Sequence, residues 1–168
     1  MSGAHHITVR VNGEEVEAMV PPRLSLVDFL RQIAGATDAH VGCEQGKCGA
    51  CTVHLDGRAV RGCLTLAVQA DGQEVLTVAG LLRAGRLEPL VTAFVERNAL
   101  QCGFCTPGFV VSALDHLERG GSTDRAAIRE AISGNYCRCT GYEAIVDAIA
   151  TAAGAIAGTT PSRAEVTE

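Results

Sequence analysis

Apolar and polar residues alternate along Ile7-Thr-Val-Arg-Val11, and Asn12-Gly13 follows at once. A two-residue period marks a half-buried strand, and Asn-Gly is a strong hairpin turn. Glu15 to Val20 reads as the returning strand, stopped by Pro21-Pro22. Ser25-x2-Asp28 then opens a short helix whose apolar positions are Leu26, Phe29, Leu30 and Ile33. A cysteine-bearing loop runs from about Gly35 to Gly49. Thr52 to Leu55 predicts a strand, Asp56-Gly57 a second hairpin turn, and Ala59-Val60 the partner strand. Cys63 begins a short apolar stretch of helical character, and Glu74 to Val78 predicts a last strand.

After about Gly80 the period changes to that of helices. Pro89 suits the first turn of a helix carrying Leu90, Val91, Phe94 and Val95. Thr106-Pro107 starts another, with Phe109, Val110, Ala113, Leu114 and Leu117 on one side. Thr123-Asp124 opens a third with Ile128, Ala131 and Ile132, and Tyr142 to Ala153 a fourth with Ile145, Val146 and Ile149. Four short amphipathic helices predict a small four-helix bundle. The reading is therefore α+β, with a strand-rich domain over 1–80, a helical domain over 81–157 and a polar, flexible tail over 158–168.

Composition narrows the class. The chain has 168 residues, 47% of them hydrophobic but only 4% aromatic, with no Trp. Each half buries a limited core, so inorganic staples are expected to contribute. The net charge of −5, without any run of Lys or Arg, argues against nucleic acid. No export signal and no stretch of about 18 apolar residues is present. A cytoplasmic location without a membrane span is the expectation, and there the 8 cysteines point to metal rather than disulfides.

The cysteines fall into two quartets with none left over. Cys43-x4-Cys48-x2-Cys51 with Cys63 downstream is the plant-type spacing for a [2Fe–2S] cluster. Cys102-x2-Cys105 and Cys137-x-Cys139 form the second quartet. Zinc is the stronger rival, because Cys-x2-Cys pairs make zinc knuckles. However, three ligands within nine residues suit wrapping around a cluster better. A dithiol reading of Cys102 and Cys105 would leave Cys137 and Cys139 without a role. His5, His6, His40, His54 and His116 do not sit at Rieske spacings and carry no metal role.

A thiolate-bound cluster is an anion and needs hydrogen bonds to its sulfurs. Gly42, Gly46 and Gly49 interleave with the first ligands, where close backbone approach or positive φ is useful. Lys47, the only lysine, stands in the same loop. At the second quartet, Thr106-Pro107 and Thr140-Gly141 put helix starts directly after ligands, and helix N-termini favour anions. With both clusters assembled the net charge would be roughly −9.

Gly42-Cys-Glu-Gln-Gly-Lys-Cys-Gly-Ala-Cys51, Gln101-Cys-Gly-Phe-Cys-Thr-Pro-Gly108 and Cys137-Arg-Cys-Thr-Gly-Tyr142 occur in this order. Over roughly residues 7–153 the chain resembles the small iron–sulfur subunit of molybdenum hydroxylases, the xanthine oxidase/carbon monoxide dehydrogenase family. The resemblance implies a β-grasp, plant-type ferredoxin-like domain followed by the helical bundle. It implies a heterotrimer, or a dimer of heterotrimers. A large subunit would hold molybdopterin, in its cytosine dinucleotide form, and a medium subunit FAD. Cys43, Cys48, Cys51 and Cys63 would bind the cluster nearer the flavin, and Cys102, Cys105, Cys137 and Cys139 the one nearer molybdenum. Gln101 and Cys139 would contact the pterin. No residue of this chain would transform substrate.

Because the chain ends at Glu168 without a flavin or molybdenum domain, it reads as a separate electron-transfer subunit. The alternatives are a free-standing ferredoxin-like carrier and a zinc-stapled interaction module. A free ferredoxin needs only the first domain, which the second quartet argues against. Substrate choice lies in another chain, and a lean toward N-heteroaromatic compounds comes from the frequency of such enzymes in the family.

Overall fold

The structure, a computed structural model, describes residues 3–157. Strands β1 (His5–Val11) and β2 (Glu14–Val20) pair antiparallel, Ile7 opposite Ala18 and Val9 opposite Val16. Asn12 and Gly13 make the turn at φ values of 53° and 90°, the left-handed pair that a primed hairpin turn requires. Helix α1 (Leu26–Gln32) is capped by Ser25, whose Oγ accepts from the Asp28 N–H and donates to the Asp28 carboxylate. It buries Leu26, Phe29 and Leu30. Ile33, expected on this face, is 44% exposed, because the helix has ended and Ile33 is its C-cap.

Strands β3 (Thr52–Leu55) and β4 (Arg58–Arg61) form the second hairpin, turned by Asp56-Gly57. Strand β5 (Glu74–Leu76) runs parallel to β1 and antiparallel to β3. The mixed five-stranded sheet has the order β2-β1-β5-β3-β4. Ile7, Val9, Val11, Val53 and Val75 pack with α1 into one core.

Two expectations in this half are corrected. The stretch beginning at Cys63 is not a helix from its start. The Leu24–Leu26 segment takes its backbone groups: Leu26 N–H donates to Thr65 O and Ala67 N–H to Leu24 O, leaving only a 3-10 turn at Ala67–Ala70. The last strand stops at Leu76, two residues early. Asn12 draws Thr77 out of the ladder, its Oδ1 accepting from Thr77 N–H and its Nδ2 donating to Thr77 Oγ1.

Helix α2 (Val78–Arg83) follows at once, so Val78, expected in a strand, is helical. Then come α3 (Glu88–Glu96), α4 (Thr106–Glu118), α5 (Arg125–Ala131) and α6 (Glu143–Ala157). Among the described residues the helical half thus has five helices, not the four expected. Residue 78 carries the pattern of both strand and helix, so the short α2 is hidden in sequence. Leu81, Leu90, Phe94, Phe109, Leu114, Ile128, Ile145 and Ile149 share a second core. Val95, expected inward, is 63% exposed, and Val91 and Ala131 are half-buried, because only one narrow stripe of each short helix is covered. The chain is α+β, with one five-stranded sheet and six α-helices among the described residues. The expected tail over 158–168 lies outside the described residues. No described helix is long and apolar enough to cross a membrane.

Candidate metal centres

The first cysteine loop leaves α1 and returns at β3, so sheet and helix clamp both its ends. Within it, Cys48 N–H and Gln45 N–H donate to Cys43 Sγ at 3.3 and 3.4 Å. Gly46 N–H donates to Cys63 Sγ at 3.3 Å, although 17 residues separate them. The reach is possible because Gly46 is in the left-handed region at φ 73°. A Cβ there would also strike Leu64 Cδ1 at 2.3 Å. Gly49 is left-handed too, at φ 75°. Gly42 is not, and its reason is space: a Cβ would sit 3.0 Å from Cys48 Sγ.

The thiols gather two by two. Backbone N–H bonds from Cys48 and Gln45 lower the Cys43 thiol to about 7. Its partner Cys48 is raised, first by burial. Cys51 and Cys63 form the second pair, and burial pushes Cys51 up to about 11.

The second quartet is built from two helix-flanking turns. Cys105 is the N-cap of α4, and Cys137 and Cys139 lie in the turn that leads to α6. Cys139 and Cys102 stand with sulfurs 3.6 Å apart. Burial pushes Cys105 up to about 12, and the thiol of Cys137 beside it adds to the rise. Burial would raise Cys137 as well, but hydrogen bonds from Thr140 and Cys139 bring it below the ordinary thiol value. Thr140 N–H and Oγ1 reach Cys137 Sγ at 3.3 and 3.1 Å, and Cys139 N–H at 3.4 Å. These donors belong to the turn rather than to the helix starts that the sequence pointed to. Tyr142 at φ 71° carries the chain out of the turn, and its hydroxyl accepts from Cys137 N–H at 3.0 Å.

Among the described residues, no three or more His, Cys, Asp or Glu side chains close on one point as a single metal ion requires. Pairs of thiols, two pairs to a site, are the donor set of a two-iron core, in which each iron takes two protein ligands. The backbone and hydroxyl donors aimed at sulfur suit an anionic centre. Raised thiols close together must lose their protons to a metal before they coexist as thiolates. The residues present therefore fit a [2Fe–2S] group at each quartet.

Gln101 is exposed, and its Nε2 donates to Cys139 O at 3.0 Å. The two residues expected at the pterin are thus in contact. Lys47 and Arg138 are exposed. His40 stacks on Phe104, ring centroids 4.7 Å apart, and its Nδ1 meets Phe104 O at 2.8 Å, tying the first loop to the second. His54 is buried on β3, and neither ring nitrogen has a hydrogen-bond partner among the described residues. Arg61 and Asn135, at the seam between the halves, escaped the sequence reading. Gly134-Asn135 reads as an ordinary turn, and nothing local marks it as buried.

Comparison with known proteins agrees with this geometry. Residues 9–79 match the model of a 2Fe-2S iron-sulfur cluster binding domain, and residues 77–150 that of a [2Fe-2S] binding domain. The chain is 50% identical over 150 residues to the nicotine 6-hydroxylase small subunit of Paenarthrobacter nicotinovorans, covering 89% of this chain and 90% of that one. It is 50% identical over 151 residues to the caffeine dehydrogenase subunit gamma of Pseudomonas sp. (strain CBB1), covering 87% and 89%. Among solved structures, that of quinoline 2-oxidoreductase from Pseudomonas putida 86 superposes with a TM-score of 0.86 at 44% identity, over 95% of this chain and 100% of the other. The chain belongs to the small iron–sulfur subunits of the molybdenum hydroxylases, the xanthine oxidase/carbon monoxide dehydrogenase family.

Proposed function

We propose that Cys43, Cys48, Cys51 and Cys63 hold one [2Fe–2S] cluster and Cys102, Cys105, Cys137 and Cys139 the other. The chain is the electron-transfer subunit of a molybdenum hydroxylase, working between a large molybdopterin subunit and an FAD subunit. The clusters would supply one-electron carriers; the protein binds them and directs donors to their sulfurs. The observation that carries the assignment is the pairing of all eight thiols two by two, with N–H and O–H donors directed at Cys43, Cys63 and Cys137.

The second quartet is the entrance for electrons and the first the exit toward flavin. Exposure of Cys102 and Cys139, with Gln101 against Cys139, supports a pterin contact there. Gly46 and Gly49 support the first loop through their left-handed backbone, and Gly42 through the room it leaves for Cys48. We divide the chain into 1–80, 81–157 and 158–168, and treat α3–α6 as a four-helix bundle to which α2 is a lead-in. Thiols free of disulfides and reserved for iron favour the cytoplasm. The names nicotine, caffeine and quinoline among the relatives support an N-heteroaromatic substrate for the complex, oxidised on the large subunit. The cytosine dinucleotide form of the cofactor is proposed on the family resemblance alone.

Low-temperature EPR of the dithionite-reduced chain tests the assignment. Two distinct S = ½ signals are expected, and Cys105→Ser should remove one while the other persists. A single signal in the native protein, or stoichiometric zinc, refutes it.

A further inference from the structure

Asn135 stands two residues before Cys137 and is only 1% exposed. Its Nδ2 donates to Gly49 O at 3.2 Å. Its Oδ1 accepts from Ser112 Oγ at 2.9 Å and from Arg61 Nη2 at 3.4 Å. The same Arg61 Nη2 donates to Gly134 O at 2.9 Å, and Nη1 to the Thr52 hydroxyl. That hydroxyl in turn donates to Gly49 O at 2.6 Å. One carbonyl, between two residues of the first quartet, thus collects donors from both halves of the molecule.

The seam has no slack. A Cβ on Gly108 would lie 2.1 Å from Gly49 O, and one on Gly49 would lie 2.5 Å from Asn135 Nδ2. Directly beside the side-chain network, Tyr136 N–H donates to Cys48 O at 2.9 Å. Backbone next to Cys137 is therefore pinned to backbone at Cys48. A buried amide whose oxygen and nitrogen are both hydrogen-bonded specifies one arrangement, because a slip leaves a polar atom unpaired.

We infer that Asn135, anchored by Arg61 and Ser112, is a positioning residue that sets the spacing of the two cysteine quartets and hence the coupling between the centres they hold. Packing alone would not need an amide there, since an apolar side chain could occupy the space without tying Gly49 to Arg61 and Ser112. The inference rests on the ligand assignment above, and the experiment separates the two.

The full chain, loaded with iron and sulfide and fully reduced, is measured by low-temperature EPR at several microwave powers and by pulsed dipolar EPR. Asn135→Leu and Asn135→Asp are compared with the native protein. The aspartate keeps the acceptor for Ser112 and Arg61 but loses the donor to Gly49. Arg61→Met, which removes the anchor from a half-exposed site, serves if the Asn135 variants do not load. Expected are both signals at full spin count in every variant, with the spin–spin splitting and fast relaxation of the native pair changed in Asn135→Leu, Asn135→Asp and Arg61→Met. Both signals with unaltered splitting in any variant that loads overturn the positioning role and leave the ligand assignment standing. One signal in the native protein overturns the ligand assignment, and this inference with it.

Discussion

Gly108 gives two physical rules opposite signs. It lies in the first turn of α4, where helix propensity alone says that alanine stabilises, by up to about 1 kcal/mol in a helix interior and less near a terminus. The seam says otherwise. The new Cβ would meet Gly49 O at 2.1 Å, Gly49 C at 2.9 Å and Asn135 Nδ2 at 3.0 Å. A tolerable carbon–oxygen contact is about 3.3 Å, so backbone must retreat by roughly 1 Å. The obstructing carbonyl is itself held by Thr52 and Asn135, which prevents cheap relief. Overpacking of this kind costs about 1–3 kcal/mol, and a rigid backbone obstacle places Gly108→Ala near the top, a net loss of about 2 kcal/mol. Gly154 is the internal control: it is exposed on α6 with nothing within 4 Å of a built Cβ, so Gly154→Ala should gain about 0.5–1 kcal/mol. For a chain of this length each kcal/mol moves the melting temperature by about 2–4 °C. Apparent melting of the cluster-loaded chain, followed by circular dichroism at one scan rate under anaerobic conditions, should fall by roughly 4–8 °C for Gly108→Ala and rise by roughly 1–4 °C for Gly154→Ala. If Gly108→Ala rises with its control, the close approach of α4 to the first loop is wrong.

Three further outcomes are expected. His54 has its pKa lowered first by burial and then by Arg86, with Asp115 and Glu118 opposing and Arg119 adding to the fall. The unfolded chain therefore takes up the proton first, near the ordinary value of about 6.5, and stability is lost as pH falls through and below it; His54→Phe should flatten that slope between pH 7 and 5, and an unchanged slope counts against the buried neutral imidazole. Thr140→Val deletes the hydroxyl donor to Cys137 Sγ, so a redox titration should find the second centre's potential more negative while the first is unmoved. Gly49→Ala forces a side chain into the left-handed region at φ 75° and against Asn135, and the first cluster's visible circular dichroism should report poorer loading than in native protein prepared alongside.

Local chemistry made much of this molecule legible. The Asn12-Gly13 and Asp56-Gly57 turns, the Ser25 cap and the Cys43-x4-Cys48-x2-Cys51 spacing depend on residues near one another in the chain, so each could be read from its own segment, while the second quartet joins two short pairs from separate segments. The elements that misled were those decided by distant partners. Asn12 reaches Thr77 and ends β5 early, and Leu24–Leu26 draws the stretch after Cys63 into a turn.

The residues alone place four thiols in a strand-rich segment and four in a helical one. How the two sets stand to each other depends on long-range contacts. Asn135 and Arg61 look unremarkable in sequence, because a Gly-Asn turn and a strand arginine are ordinary on a surface. They matter because α4 lies against β3 and the turn before Cys137 lies against Gly49. Contacts spanning 86 and 74 residues close that seam, and no local pattern encodes a hydrogen bond whose two ends are placed by different cores.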